Sequence, residues 1–385
     1  MKALFLGSDP SLFNPESPAR TRMLTYADRI GELHIVSGAP KTSVTEHTTA
    51  HGVLVLHGIH APKIFLPKLL QKKAHALILE KGIEVVSAQD PFEHGEAAMN
   101  AVRGTSAKLH IQVHTDFLSP WYVHGKIFRG PSVPVPFINR IRLKIADRVV
   151  PHADGIRVVS ERVKESLITR YGSRIPVPTV LPIAVSTEAP VPVPLPPHPF
   201  PFALLAVGRL EPEKRIEDIL YAIARIAPAY PSVGLFVAGS GRERKRLERI
   251  CKKLGLKERV IFLGERSDAP GLMASAQAFI QASAYEGYSR TLIEAALAKV
   301  PIITTDVGIV GEVFVGFDDV LSVPVGDPAA LAAYIVGLLE DTQYRRRLTM
   351  EAEKAARVHL AQYADLPGRI TADLATVVSA VPRTV

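Results

Sequence analysis

The chain reads as an α/β protein built from two Rossmann-like, doubly wound domains, and three observations lead there. Short runs rich in Val, Ile, Leu and Phe alternate with helical patterns, as expected for a parallel sheet with helices on both faces. The alternation stops once, between Pro182 and Pro201, where eight of twenty residues are proline. The length of 385 residues also exceeds the size at which a single core keeps growing, so two domains are expected.

The first run, Ala3-Leu4-Phe5-Leu6, is too short for the apolar core of a signal peptide and no cleavage pattern follows it, so it reads as a strand. Leu33 to Val36, Val53 to Leu56, Val85 to Ala88, Leu109 to Val113 and Gly155 to Val159 continue the series. A proline-dense stretch cannot supply ladder donors and stays extended, so it reads as an interdomain linker. Beyond it, Phe202 to Val207, Val233 to Ala238, Val260 to Leu263, Ala278 to Gln281 and Pro301 to Thr304 are strands. Helices are expected over Arg215 to Ala227, over Arg242 to Leu254, and from Ser289 to about Lys299. The expected organisation is an amino-terminal domain over 1–185, a linker over 186–201 and a carboxy-terminal domain over 202–365. A last helix over 366–385 is expected to pack back on the amino-terminal domain.

Composition narrows the function classes. Cys251 is the one cysteine, so no disulfide framework exists within the chain, in keeping with a reducing cytosol. It reads as an idle buried thiol. No apolar run approaches eighteen residues, so no spanning helix is expected. The formal net charge of +8 is uneven: residues 1–190 hold 23 Lys and Arg against 16 Asp and Glu, a net of +7, with eleven of thirteen histidines. Such a half suits an anionic partner, although a solvated basic face needs no partner at all. Two stretches mix cations with large apolar residues. One runs from Pro62 to Lys73; the other runs from Pro120, Trp121 and Tyr122 through Lys126, Phe128, Arg129 and Phe137 to Arg140, Arg142, Lys144 and Arg148. Both suit contact with a membrane surface, and both equally suit an ordinary amphipathic surface helix.

In a doubly wound sheet, ligands bind at the carboxyl ends of the strands. There the chain places Val207-Gly208-Arg209-Leu210-Glu211-Pro212-Glu213-Lys214. Gly208 opens the turn, and Arg209 and Lys214 are placed to meet a diphosphate or to stand as solvated surface cations. In Ala284-Tyr285-Glu286-Gly287-Tyr288-Ser289-Arg290-Thr291, Ser289 is the expected helix cap and leaves the amides of Arg290 and Thr291 for phosphate oxygens. Gly287 allows close backbone approach. Glu286 lies before the helix and Glu294 inside it, so the two carboxylates reach different parts of an extended ligand, or act as ordinary helix-flank charges.

The Gly208 to Lys214 turn, Gly239-Ser240-Gly241, Phe262-Leu263-Gly264, the Glu286 and Glu294 pair, and Asp306-Val307-Gly308-Ile309-Val310-Gly311-Glu312 occur in this order and spacing. Together they resemble the carboxy-terminal domain of GT-B glycosyltransferases of the retaining family 4 (glycosyl transferases group 1), in which two Rossmann-like domains face each other across a cleft. The resemblance implies that Arg209, Lys214 and the amides near Ser289 to Thr291 hold a donor diphosphate. It implies that Glu294 holds the ribose, Glu286 a hydroxyl of the transferred sugar, and Gly264 to Arg266 the nucleobase. His114, in Gln112-Val113-His114-Thr115-Asp116-Phe117, would face the donor sugar, and Ser87 to His94, with Asp90, looks like a second strand end at the cleft. For His114 the other reading is a capped strand-end histidine.

This sequence departs from the family pattern in three places. A lone Gly7 replaces a paired-glycine loop, Leu181-Pro182-Ile183-Ala184-Val185 replaces an Asn-Gly pair, and Tyr288-Ser289-Arg290 replaces a more apolar stretch, so Arg290 either adds a third cation or faces solvent. The implied chemistry is transfer of a hexose-type sugar from a nucleotide-diphosphate sugar to a hydroxyl of a lipid-linked or carbohydrate acceptor, with retention. Clustered cations would stabilise the leaving diphosphate without a metal or other cofactor. Glu286 is expected to orient the sugar rather than act as nucleophile. A cytoplasmic chain, peripheral at the inner face of a membrane and without a nucleic-acid partner, is the accompanying expectation. A nucleotide-sugar epimerase on the same architecture, an NAD-dependent oxidoreductase and a basic nucleic-acid-binding protein are the competing readings. The oxidoreductase lacks its glycine fingerprint at Gly7 and at Gly239-Ser240-Gly241, and the last lacks a recognisable module.

Overall fold

In the computed structural model, residues 1–125 and 137–381 are described. They fall into two compact units. The first joins Met1–Leu118, Pro136–Pro182 and Asp365–Val385, and the second joins Ser119–Val135 and Ile183–Ala364. Lys126, Phe128 and Arg129 of the second basic stretch lie outside the described residues.

The first unit holds an eight-stranded sheet of β1 (Lys2–Gly7), β2 (Glu32–Gly38), β3 (Ser43–Thr48), β4 (Val53–Ile59), β5 (Val85–Ala88), β6 (Lys108–Val113), β7 (Gly155–Val158) and β8 (Thr179–Val180). The strand order is β3-β4-β2-β1-β5-β6-β7-β8, parallel except for the β3–β4 pair. The apolar runs occupy the centre because both of their faces are covered: Ala3 to Leu6, Leu54, Leu56, Val85, Val86, Ile111 and Val113 are all buried. β3 and β8 were not expected. β3 is an edge strand whose residues are exposed or half-buried, so no apolar alternation marks it, and β8 spans two residues. Local chemistry sets the helices. Ser17 and Ser160 accept hydrogen bonds from the amides of Arg20 and Val163, and Asp365 accepts from Gly368 to start the helix Leu366–Ser379. That last helix buries Leu366, Ile370, Leu374 and Val377. Val377 comes so close to β7 that a Cβ on Gly155 would lie 2.2 Å from its Cγ2.

The second unit carries β9 (Phe202–Val207), β10 (Val233–Ala238), β11 (Val260–Gly264), β12 (Ala278–Gln281), β13 (Ile302–Thr305) and β14 (Leu321–Val323). The order β11-β10-β9-β12-β13-β14 is parallel throughout, with the chain reversing its direction of travel between β9 and β12. Leu204, Ala206, Leu235, Val237 and Ile280 form the core with Ile219, Leu220 and Ile223 of the helix Ile216–Ile226. Three expected helices have shifted limits. Arg215 has φ 46° and precedes its helix, the charged helix is Arg244–Lys253, and the third ends at Leu297 because Lys299 has φ 56°. β14 is three residues long and was not expected.

The Pro-rich stretch lies along the second unit. Val193 donates its amide to Gly271 O, and the Phe200 ring occupies the space that a Cβ on Gly234 would need. Trp121 and Tyr122 also belong there, on the helix Pro120–His124. Both are buried, Trp121 beside Ala284, so these two aromatics are core rather than the membrane-facing residues their neighbours suggested.

Candidate functional site

At the carboxyl ends of β9, β10 and β11, glycine turns lie edge to edge. The Gly208 amide donates to Ala238 O at 3.0 Å, Leu210 to Ser240 O at 2.8 Å and Gly239 to Gly264 O at 2.6 Å. A Cβ on Gly239 (φ 146°) would sit 1.9 Å from Gly208 O, so only glycine permits this approach. The expected signals at Gly208, Gly239, Gly241 and Gly264 are thus parts of one laced rim. Beside it, Arg266 makes a two-pronged bond to Asp268, at 2.7 and 2.6 Å.

The rim adjoins the crossover point between β9 and β12, where an open α/β sheet binds its ligand. Lys214 and Glu286, one from the turn after each strand, pair there through Nζ and Oε1. Ser283 donates to the same Oε1 at 2.8 Å, and the Ala284 amide donates to Glu213 O at 2.7 Å, tying the two turns together. Lys214 and Glu286 are both largely buried. Arg209 is not: its side chain is 74 % exposed and pairs with Glu213 at 3.1 Å.

Beneath this pair sits a residue that the sequence did not single out. Arg215, buried in a left-handed conformation, makes a bidentate pair with Asp218 at 2.5 and 2.8 Å, and its guanidinium lies 5.5 Å from the centre of the Trp121 ring. Next to Trp121, Tyr122 meets Tyr285 edge-on at 5.4 Å. Burial, followed by the neighbouring Glu213, pushes the Tyr285 hydroxyl far up, so it stays protonated beside Glu286. A cation and an acid three residues apart, amid Ile216 and Ile219, was the available signal for the Arg215 pair.

The helix Arg290–Leu297 starts as expected but its cap differs. Ser289 holds the cap position at φ 68°, and its hydroxyl makes no bond to the helix amides. It accepts instead from Gln281 Nε2 at 3.2 Å, while Thr291 donates to Gln281 Oε1 at 2.8 Å. The left-handed backbone turns the hydroxyl away, so the first-turn amides of Arg290 and Thr291 carry no cap from Ser289. Gly287 precedes this turn, and Gly308 crosses it so closely that a Cβ there would lie 2.8 Å from Tyr288 O. Arg290 pairs with Glu294 at 2.9 Å on the exposed side. Burial raises the Glu294 carboxyl, and Arg290 only partly opposes it.

His114 lies in the first unit, just past β6. Its Nε2 is 3.0 Å from Gln112 Oε1, and burial followed by the charge of Arg157 pushes its imidazole down to about 3, so it is neutral. Asp90 accepts from the amides of Phe92 and His94 and pairs with the His94 ring. Burial works to raise the Asp90 carboxyl, but His94 and these amides overcome it and hold it low. Asp90 therefore organises the start of its own helix. Among the described residues, no group of three or more His, Cys, Asp or Glu side chains is arranged to hold a metal ion, and no helix is long and apolar enough to cross a membrane.

Residues 198–355 match the family model described as glycosyl transferases group 1. Glycogen synthase of Mycobacterium tuberculosis is 26% identical over 208 residues, covering 54% of this chain and 50% of the relative. The chain spans about half the length of the curated relatives it matches. Among solved structures, sucrose-phosphate synthase from Thermosynechococcus elongatus superposes with a TM-score of 0.78 at 20% identity, covering 99% of this chain and 100% of the other. Anabaena HepE in complex with UDP and glucose gives 0.72 at 21% identity, with the same coverage. At that identity the likeness speaks for the fold, which is GT-B with two Rossmann-like domains.

Proposed function

We propose that this chain, whose residues 198–355 match the glycosyl transferases group 1 model, moves a hexose-type sugar from a nucleotide-diphosphate sugar to an acceptor hydroxyl, with retention as in family 4. The observation that carries the reading is the Lys214–Glu286 pair at the β9/β12 crossover, within one short turn of the uncapped start of the Arg290 helix. When the anomeric bond breaks, negative charge grows on the departing diphosphate. Lys214, the exposed Arg209 and the amides of Arg290 and Thr291 stabilise that charge most at the transition state, and so speed the chemical step. These protein donors take the place of a metal. Glu286 accepts from a sugar hydroxyl, Glu294 from the ribose, and the Gly264 to Arg266 rim lies beside the base. The resemblance assigns His114 to the donor sugar as well. The acceptor is a glycan or a lipid-linked one. The apolar residues Ile64 and Phe65 (82 % and 62 % exposed) and Phe137 (74 % exposed), set among Lys63, Lys68 and Arg140, support the lipid-linked choice and peripheral contact with an anionic membrane.

A thermal-shift panel with UDP, GDP, ADP, TDP and NAD tests the donor. A ligand at a hundred times its dissociation constant adds about 2.7 kcal/mol, well within reach of the method. We expect one nucleoside diphosphate to raise the melting temperature, uridine being the first choice because HepE is described with UDP. A shift with NAD alone, or with nothing, overturns the reading.

A further inference from the structure

His114 is one end of a hydrogen-bonded line of side chains that runs through the first unit to its last helix. His114 Nε2 meets Gln112 Oε1 at 3.0 Å, and Gln112 Nε2 donates to Ser87 Oγ at 2.9 Å. Ser87 Oγ meets His110 Nδ1 at 2.7 Å, and His110 Nε2 meets Asp373 Oδ2 at 3.1 Å. Ser87, His110 and Gln112 are all buried.

The direction of the bond to His114 follows from Arg157. Arg157, fully enclosed by protein, donates from Nη1 to Gln112 Oε1 at 3.2 Å while its other nitrogens serve Leu181 O and Pro182 O. A guanidinium has no acceptor, so the Gln112 atom facing it is the oxygen. The His114 nitrogen that meets this oxygen must therefore carry a proton. From the far side, an ionised Asp373 is acceptor only. Burial works to raise its carboxyl, but the His110 N–H and the Thr179 hydroxyl overcome this and hold it low. His110 thus donates from Nε2, and Ser87 Oγ, lying between His110 Nδ1 and the Gln112 amide, accepts from that amide. The Arg157 end fixes the orientation of Gln112 and with it the proton on His114 Nε2.

We propose that Gln112 is a positioning residue for the glycosyl transfer, held on its oxygen by Arg157 and on its nitrogen by Ser87, His110 and Asp373, and that it fixes His114 as the tautomer protonated on Nε2. His114 then presents an unprotonated Nδ1, an acceptor that takes a hydrogen bond from a sugar hydroxyl and gives none. The proposal rests on the reading of His114 as facing the donor sugar. What it adds is the polarity of that contact and the residues that impose it. A donor whose hydroxyl at this place is removed or methylated loses its bond to Nδ1, because the imidazole cannot reverse the direction.

The test has two readouts. Imidazole nitrogen NMR of the protein alone, with His114 identified by its loss in H114N, reports the tautomer whatever the enzyme does. The parent should show His114 protonated on Nε2 only. Q112L should give mixed tautomers and, with the assigned nucleotide-sugar, at least a tenfold lower kcat with KM within threefold. Q112E, which keeps an oxygen at this place, should retain the Nε2–H form. S87A releases only the nitrogen side of Gln112 and gives a smaller shift in the same direction, which keeps the test available if Q112L fails to fold. A parent His114 protonated on Nδ1 overturns the line of bonds. Loss of the tautomer with turnover intact overturns the positioning role. If no nucleotide-sugar is turned over by the parent, the transferase reading fails while the tautomer result stands.

Discussion

Lys214 faces two partners in turn. Its ammonium is paired with Glu286, and the proposed donor brings a diphosphate to the same place. The carboxylate therefore repels the leaving group's charge while it orients the sugar, and these effects separate on mutation. Glu286→Gln should bind a bare nucleoside diphosphate as tightly as the parent or more so, since a negative charge is gone, yet turn over the nucleotide-sugar at least tenfold more slowly. Lys214→Met should weaken diphosphate binding and lower kcat by about a hundredfold or more, in the range seen when one preorganised donor to a developing anion is removed. Titration calorimetry and initial rates read both; turnover of the Gln variant within threefold of the parent refutes the role of Glu286. The sequence named Arg209, Lys214, Glu286, Gly287, Thr291 and Glu294 because each sits at a glycine turn or a helix start. The pairing of Lys214 with Glu286, 72 positions apart, has no local signal. Nor has the contact of Arg215 with Trp121, which only the folded chain brings together.

At the scale of the element, the start of the Arg290 helix depends on one left-handed residue. Ser289 holds φ 68° while bonded to Gln281, and Gly308 crosses above it. A β-branched residue there meets its own carbonyl, at a cost of roughly 1–2 kcal/mol. Glycine adopts the angle without strain and loses only the hydroxyl. Thermal unfolding should thus place Ser289→Val several degrees below Ser289→Gly, about 2–4 °C for each kcal/mol in a unit of this size. Equal melting temperatures would show that the backbone angle carries no strain. The apolar runs named eleven strands in position, because a strand covered on both faces must be apolar throughout. β3, β8 and β14 escaped because an exposed edge and segments of two or three residues leave no such pattern. The cap went astray for a related reason: a serine before a helix suggests a side-chain bond, and its φ is invisible in the letters.

For the molecule as a whole, charge is the legible property and chain path is not. The surplus of cations in residues 1–190, with Ile64, Phe65 and Phe137 exposed among them, predicts binding to anionic vesicles that weakens as salt rises, because exposed charges are screened within about 10 Å at 0.1 M. Co-sedimentation with phosphatidylglycerol vesicles should fall at least tenfold on replacing Ile64 and Phe65 by serine. Equal binding to neutral vesicles, or none to either, rules the contact out. Composition gave no warning that residues 119–125 join the second unit, a long-range placement that no window of sequence contains.

The return of that helix bears on how the protein is made. Leu366 lies 184 positions beyond Pro182, where the rest of the first unit ends. At 5–20 residues per second, a ribosome takes roughly 10–40 s to add them. Throughout that time β7 is exposed at Gly155, the place Val377 will fill, and His110 has no Asp373 to receive its proton. The second unit is complete in the growing chain before the first, whose last helix is made only after residues 183–364.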